Sequence, residues 1–306
     1  MRVSINPSYY CNFRCSFCYL GTAALADPAR IGIDRLRDRL REISSYKALT
    51  GVDLYGGEIG LLKAPYFEEL LSTVSEFYEG PVDVTTNLSV VRDFFNSERI
   101  TLAVSYDGDA REKHEQVIEN MRQLKRPFRV LMLSSPRLIE KNPDSLIELL
   151  NTFERLESVE IKPYSKNQWN QLPMRWSDQE DWVKRWIESS VRKNFLFMNE
   201  VNIRECLSGV YNAYSNDHLY ITPRGELAVL DFDSQDREYF RPLRDIAEYM
   251  HWCYEEKEKA GKNPFCNECE YLGHCLTEHL RDVQSLEHSC NGGKQLLDWY
   301  QTAAVR

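Results

Sequence analysis

The chain has 306 residues, of which 42% are apolar, and its formal net charge at pH 7 is -9. This length can bury the core of one large domain, or of one domain with an appendage. The acidic balance argues against broad nucleic-acid binding, which needs a basic surface. No run of about eighteen apolar residues is present to span a membrane, and the first residues lack the apolar segment of a signal peptide. We therefore expect a cytoplasmic protein with neither a nucleic-acid nor a membrane partner.

Nine cysteines are many for a chain expected in a reducing compartment. In such a compartment, thiols serve as metal ligands more often than they form disulfides. Three cysteines lie between residues 11 and 18, and the last 101 residues contain the other six. This asymmetry predicts two metal sites in two regions of the chain.

Strands and helices alternate through the first 165 residues. Apolar patterns and turn residues predict strands at 2–6, 51–55, 82–86, 100–105, 128–133 and 159–162. Helical periodicity predicts helices at 33–48, 65–79, 110–124 and 143–155. This alternation indicates an α/β fold built from parallel βαβ units. Six strands are too few for a closed eight-stranded barrel, so we expect an open, partial (β/α)6 barrel with its functional groups in the loops after the strands.

Beyond residue 165 the alternation stops. The sequence predicts a helix at 177–193, a β-hairpin at 219–230 and a helix at 243–258. We therefore assign residues 1–200 to the barrel and residues 201–306 to a second domain.

The first three cysteines, Cys11, Cys15 and Cys18, have C-x3-C-x2-C spacing. Three thiolates on one loop can bind three irons of a cubane cluster and leave its fourth iron open for a cofactor. A structural zinc site is normally closed by a fourth Cys or His, and an electron-transfer cluster usually has four cysteines. A zinc knuckle, or three incidental thiols, is the alternative.

This spacing, with the aromatic Phe17 directly before the last cysteine, resembles the signature of the radical S-adenosylmethionine (SAM) superfamily. The resemblance implies a [4Fe–4S] cluster whose open iron binds SAM. It also implies that one electron from a flavodoxin- or ferredoxin-type reductant cleaves SAM to a 5′-deoxyadenosyl radical, which abstracts a hydrogen atom from the substrate. Gly56, Gly57 and Glu58 follow the second predicted strand and resemble the family's GGE motif, which contacts the methionine amino group.

Polar residues follow the other predicted strands as well. Thr86 and Asn87 follow the third strand and Ser105 ends the fourth, at places where the family uses polar groups for SAM. Lys162 and Tyr164 follow the sixth strand and are candidates for contacts to SAM or substrate. The alternative for all of them is ordinary turn or surface-loop chemistry.

The second set of cysteines, Cys266, Cys269, Cys275 and Cys290, supplies four thiolates. Four suffice for a closed [4Fe–4S] cluster or for a zinc ion. The C-x2-C-x5-C spacing resembles the SPASM and twitch extensions of radical SAM enzymes. A full SPASM region has further cysteines where this chain has Leu230 and His279. The resemblance therefore implies one auxiliary [4Fe–4S] cluster instead of two.

Cys206 precedes the hairpin, where SPASM proteins place a ligand of the missing cluster. A thiol can give a hydrogen atom to a carbon radical, as in radical SAM peptide epimerases, so Cys206 is a candidate hydrogen donor. A small buried apolar residue is the alternative.

The resemblance to SPASM-like enzymes favours modification of a ribosomally made precursor peptide. The leading hypothesis is a radical SAM oxidoreductase or epimerase that cross-links such a peptide through a carbon–carbon bond or epimerises one of its Cα atoms. The alternative is a radical dehydrogenase for a small molecule such as a sugar or an aminocyclitol.

Overall fold

The computed structural model of the chain describes residues 1–164, 175–230, 240–276, 290 and 293–303. Strands among these residues form a ten-stranded sheet with the order β10-β9-β8-β1-β2-β3-β4-β5-β6-β7. The strands are β1 Arg2–Ile5, β2 Gly51–Leu54, β3 Val82–Thr86, β4 Ile100–Ser105, β5 Phe128–Leu133, β6 Leu156–Lys162, β7 Leu196–Phe197, β8 His218–Ile221, β9 Leu227–Leu230 and β10 Phe240–Leu243.

Helices connect the strands and follow them. The α-helices are α1 Thr22–Ala26, α2 Ile33–Tyr46, α3 Ala64–Ser75, α4 His114–Gln123, α5 Pro136–Ile139, α6 Pro143–Asn151, α7 Trp176–Glu188, α8 Met198–Leu207, α9 Ile246–Lys262, α10 Pro264–Asn267 and α11 Lys294–Ala303. Short 3₁₀ turns at Ile59–Leu61, Asp93–Asn96 and Gly108–Ala110 follow β2, β3 and β4. None of the helices within the described ranges is both long and apolar enough to cross a membrane.

The first six strands confirm the predicted α/β partial barrel. They pair in sequence order, and every pair is parallel. The two ends of this set do not pair with each other, because β1 pairs with β8 and β6 pairs with β7. The six-stranded unit is therefore open, and the carboxyl ends of its strands meet along one rim.

The two faces of the sheet differ in polarity. Alternate residues of the strands point into a core that is shared with the helices, and these residues are fully buried: Val3, Val52, Val84, Val104 and Val130. From the helix side, α2 buries Leu36, Leu40 and Ile43, which recur at helical spacing. Full burial of each such side chain contributes roughly 1.5–3 kcal/mol. This apolar layer holds the strands in place and so positions the loops at the rim.

The other face of the sheet carries charge. Asp53 and Asp83 stand directly opposite each other on β2 and β3, an arrangement in which like charges repel. Arg2 donates from Nε to Asp53 at 2.8 Å and also bonds Asp83, while Arg129 lies 3.4 Å from Asp83. These arginines compensate the two carboxylates on the concave inner face of the partial barrel.

The C-terminal part extends the same sheet. The predicted hairpin is present as β8 and β9, and β8 runs parallel to β1. Its turn is bound to the barrel, because Arg35 and Arg39 of α2 both donate from Nε to the carbonyl oxygen of Gly225, at 3.2 and 2.9 Å. Gly225 has a φ of 72°, which favours glycine. The division into domains at residue 200 stays a prediction.

Candidate active site

A cavity opens at the rim where the parallel strands end. Its volume is about 240 Å³, whereas one water needs only about 10–15 Å³ of such space, so a small molecule fits. Cys11, Cys15 and Cys18 all line it. So do most of the predicted cofactor-binding residues, namely Phe17, Gly56, Gly57, Thr86, Asn87, Ser105 and Lys162. Glu58 and Tyr164 are not among the lining residues.

The two glycines after β2 bring that strand against the cysteine loop. The N–H of Gly57 donates to the carbonyl oxygen of Ser8 at 2.9 Å, and the N–H of Glu58 donates to that of Tyr10 at 2.8 Å. Gly56 has a φ of 144°, and a Cβ there would lie 2.7 Å from the Ser8 oxygen. A Cβ on Gly57 would overlap the Tyr10 carbonyl. A residue with a Cβ does not fit at either position, because the backbone that leads into Cys11 passes too close.

Side chains from other loops contact the thiols of Cys11 and Cys15. Asn87 Nδ2 lies 3.6 Å from Cys11 Sγ, and Arg111 Nη1 lies 3.8 Å from Cys15 Sγ. Burial raises the pKa of all three thiols, that of Cys18 to about 11. Bound iron would hold them as thiolates, because a coordinating thiol is deprotonated. Three sulfurs with N–H donors beside two of them fit the ligands of an iron–sulfur cluster.

The arrangement does not suit a single metal ion. Within the described ranges, no group of three or more His, Cys, Asp or Glu side chains is positioned around one ion. A cubane cluster bonds each thiolate to a different iron, so its ligands stand farther apart than those of zinc. That Cys11, Cys15 and Cys18 hold an iron–sulfur cluster stays a prediction.

Glu58 does not line the cavity, and its hydrogen bonds connect the end of β2 to the end of β3. It is buried, and its carboxylate accepts hydrogen bonds from the N–H of Gly60 at 2.6 Å, from the N–H of Asn87 at 2.6 Å and from Thr86 Oγ1. Burial raises the pKa of Glu58, while these three bonds act in the opposite direction. A carboxylate has about four acceptor positions, so one remains. Its contact with SAM stays a prediction.

Tyr164 also stands behind the lining. Its ring is buried and packs against Phe17 and Ala110. Its N–H donates to Ser134 Oγ and to Gln179 Oε1, each at 3.2 Å. Tyr164 therefore supports Phe17, and its direct contact with SAM or substrate stays a prediction.

Arg111 lines the cavity and was not predicted from the sequence. Its Nε donates to Asp107 Oδ2 at 2.8 Å, and its guanidinium stands 5.4 Å from the centroid of the Phe17 ring. The Asp107 side chain is 1% exposed and that of Arg111 is 11% exposed. In the sequence, Asp107 is a weaker candidate at the end of the fourth strand, and Arg111 falls within the helix predicted at 110–124. An Arg four residues after an Asp at a strand end is the signal that could have revealed the pair.

The second set of cysteines is less concentrated. Cys266 lies in α10, whose first N–H groups bond the Asn263 side chain. Burial raises the pKa of Cys266 to about 11, and neighbouring Cys290 and Cys269 add to this rise. Cys275 is buried, and its nearby charge adds to the effect of burial on Cys206. That these cysteines bind one auxiliary cluster stays a prediction, and His279 lies outside the described residues.

Cys206 does not line the cavity that contains Cys11, Cys15 and Cys18. Its side chain is 1% exposed in α8, and burial, followed by the effect of Cys275, raises its pKa to about 12. The thiol is not among the groups that line the cavity around Cys11. The role of Cys206 as a hydrogen donor stays a prediction.

Comparisons with known proteins identify the fold. No family model matches the chain, and no curated protein matches it. Among solved structures, SuiB of Streptococcus suis bound to S-adenosylmethionine is 16% identical with a TM-score of 0.64, over 95% of this chain and 75% of SuiB. Native anSMEcpe with bound AdoMet is 14% identical with a TM-score of 0.71, over 99% of this chain and 98% of anSMEcpe. The FeFe-hydrogenase maturase HydG from Carboxydothermus hydrogenoformans is 11% identical with a TM-score of 0.50, over 84% and 66%.

These structures are radical SAM enzymes. The chain has the radical SAM fold, as the spacing of its first cysteines indicates.

Proposed function

We propose that this chain is a radical SAM enzyme that modifies a peptide. The observation that carries the proposal is the cavity at the strand ends, where Cys11, Cys15 and Cys18 meet seven of the residues predicted to bind SAM. Two proteins of similar structure support the peptide substrate. SuiB is bound to the precursor peptide SuiA in one structure, and anSMEcpe is bound to AdoMet and the Cp18Cys peptide in another.

Each part of the cavity has a role in this proposal. When bound, SAM and a [4Fe–4S] cluster would supply a carbon radical that removes a hydrogen atom from the substrate. The three cysteines hold the irons, and Asn87 and Arg111 stabilise negative charge on the sulfurs. Arg111 and Lys162 on the lining already pair with carboxylates, Arg111 with Asp107 and Lys162 with Glu160 at 2.8 Å. The apolar side chains of Phe17, Leu131 and Leu133 exclude water from a reactive centre.

The C-terminal cysteines complete the proposed enzyme. We assign Cys266, Cys269, Cys275 and Cys290 to one auxiliary [4Fe–4S] cluster and expect a flavodoxin- or ferredoxin-type protein to deliver the electron. We also propose a cytoplasmic protein, because cysteines that serve as cluster ligands are typical of a reducing compartment.

Of the two peptide reactions, we propose carbon–carbon cross-linking. Epimerisation needs a donor that returns a hydrogen atom to the substrate radical, whereas cross-linking does not. Cys206, the candidate donor, is buried beside Cys275 and does not line the cavity. The only thiols on the cavity lining are the three that would bind the cluster.

The reaction class is tested by anaerobic reconstitution with iron and sulfide, followed by SAM and dithionite. We expect 5′-deoxyadenosine from the natural sequence and none from Cys15→Ala. Cys253→Ala is the matched control, because Cys253 lies in α9 away from this cavity, and it should retain the activity. If the natural sequence forms no 5′-deoxyadenosine, the chain is not a radical SAM enzyme.

The reaction type is tested by co-expression with short peptides encoded beside the gene. Cross-linking removes the mass of two hydrogen atoms from the peptide. One would leave as the hydrogen atom taken by the 5′-deoxyadenosyl radical, and the other as a proton, with its electron passing to the proposed auxiliary cluster. Epimerisation leaves the mass unchanged and introduces deuterium from heavy water at Cα. A product whose mass is unchanged in ordinary water, and which gains one deuterium at Cα in heavy water, would contradict the cross-link.

A further inference from the structure

A second cavity adjoins the first one. It lies between α1 and the turn of the β8–β9 hairpin and has a volume of about 410 Å³, against about 240 Å³ for the first. Tyr19, directly after the last cysteine of the first cluster, lines both cavities. A ligand that fills the second cavity therefore ends within one side chain of the predicted SAM site.

Part of the lining of this second cavity is aromatic. The rings of Tyr9 and Phe240 are stacked with their centroids 6.3 Å apart, and the ring of Tyr19 meets Phe240 edge-on at 5.9 Å. Aromatic faces and edges of this kind bind a further aromatic or aliphatic side chain with a favourable geometry.

Another part of the lining consists of very small residues. Gly21, Ala23, Ala24 and Ala29, in and around α1, present no side chain larger than a methyl group. This absence of bulk is what leaves space next to the aromatic rings. The rim carries both signs of charge, because Asp27 and Arg224 are exposed there.

An apolar interior with a polar rim is typical of a pocket for one large side chain of a polypeptide. With Glu226, the lining carries two acids and one base. This mixture of signs suits the hydrogen-bonding backbone of a peptide more than a small anion. In an extended peptide, successive side chains point to opposite sides and alternate ones share a side about 6.6 Å apart, so residues i and i+2 can reach two adjoining cavities.

We propose that the second cavity binds an aromatic or large aliphatic side chain of the peptide substrate, two positions along the peptide from the residue that enters the first cavity. This inference rests on the proposed function, since it names a feature of the same peptide. It makes the segment around α1 a determinant of substrate choice.

The test uses N-acetyl-4-fluorophenylalanine amide as the probe and follows its fluorine NMR line width in the presence of the reconstituted protein. Ala24→Trp fills the cavity from α1 and should weaken binding by about tenfold, since it removes the aromatic contacts and the space for the ring. Ala26→Trp is the matched control, because Ala26 lies in the same helix, is exposed and does not line the cavity. It should bind the probe as the natural sequence does.

Ala23→Trp provides a second blocked variant in case Ala24→Trp does not fold, as judged by its melting curve. Equal binding by the blocked variants and by Ala26→Trp overturns the inference, and so does an absence of binding to the natural sequence. Formation of 5′-deoxyadenosine is measured separately. If the probe binds but no 5′-deoxyadenosine forms, the proposed reaction is wrong. If 5′-deoxyadenosine forms but the probe does not bind, only the proposal for the second cavity is wrong.

Discussion

The two cysteine regions of this chain are built in different ways. Cys11, Cys15 and Cys18 share one loop after β1, line one cavity and receive contacts from the loops after β3 and β4. The second set is spread over α10, the turn that follows it and residue 290. The first set is held by strand register, because the carboxyl ends of parallel strands converge at one rim.

This difference indicates how far the shape of each site depends on its bound ligand. The loop of Cys11 is bound by backbone hydrogen bonds from Gly57 and Glu58, so its shape follows from protein contacts alone. In the second region, hydrogen bonds between Asn263 and the first N–H groups of α10 hold Cys266. α10 has only four residues, too few for a helix to be stable by itself. We therefore expect the second site to depend more on bound metal for its shape.

The largest effect is expected from removing one cysteine of each set. Cys15→Ala should abolish 5′-deoxyadenosine formation, because the open cluster loses one of its three ligands. Cys269→Ala should keep this activity and lose the modified peptide. Iron analysis should show a loss of about four irons per chain in each variant if both clusters are cubanes.

Cys206→Ala is the control for this pair, since Cys206 is not assigned to either set. It should keep its iron, the 5′-deoxyadenosine and the peptide product. Loss of 5′-deoxyadenosine in Cys269→Ala would show that the two regions are not separable.

The next largest effect concerns the ion pair at the first site. Arg111→Met leaves the buried carboxylate of Asp107 without its cation, which should reduce the free energy of unfolding by about 3–5 kcal/mol. Denaturant unfolding measures this change. Arg122→Met, which breaks an exposed pair with Glu119, should cost at most about 1 kcal/mol.

The double variant Asp107→Asn with Arg111→Met separates charge from packing. It should recover much of the loss, since no buried charge remains unpaired. A double variant as unstable as Arg111→Met would mean that the packing of Arg111 on Phe17 matters more than its charge.

The third prediction tests whether the cysteine loop is held by β2. Gly57→Ala places a methyl group against the Tyr10 carbonyl and should cost about 3 kcal/mol, seen as a lower Tm, together with reduced iron binding. Gly261→Ala in α9 has nothing within 4 Å of the new Cβ and should stabilise the chain by about 0.5–1 kcal/mol. An unchanged Tm for Gly57→Ala would contradict the close packing of the loop.

The sequence predicted those site residues that depend on strand order. Thr86, Asn87 and Ser105 were placed together because parallel strands end at one rim, and all three line the cavity. The Asp107–Arg111 pair depends on a 3₁₀ turn at Gly108–Ala110, whose geometry no periodicity reveals. The orientation of the Glu58 side chain likewise depends on three hydrogen bonds, one from Gly60 in its own turn and two from Thr86 and Asn87 at the end of β3.

The same distinction holds for the fold. The six parallel strands and the hairpin were predicted because their apolar patterns are regular. β10 was missed, since Pro242 argues against a strand unless that strand lies at an edge, as it does here. α8 was missed because it buries only Ile203 and Cys206, too few to give a helical period.

The smallest effect concerns Glu180 in α7, which lies between the two regions. It lines a small cavity that also contacts Lys162 at the first site and Leu276 beside Cys275. Burial raises the pKa of Glu180 to about 7. The folded chain therefore holds this proton more tightly than the unfolded chain, for which the usual value near 4.5 applies. This contribution is complete below pH 4.5 and is lost as the pH rises through 7.

Glu180→Gln removes that loss, because its side chain stays neutral at every pH. Compared with the natural sequence, the variant should be similar in stability at pH 5 and more stable by about 2–3 kcal/mol at pH 8, as measured by denaturant unfolding at both pH values. Glu188→Gln on the same helix changes an exposed carboxylate and should show no such difference. If Glu180→Gln raised the stability equally at pH 5 and pH 8, the carboxyl group of Glu180 would not be buried between the two regions.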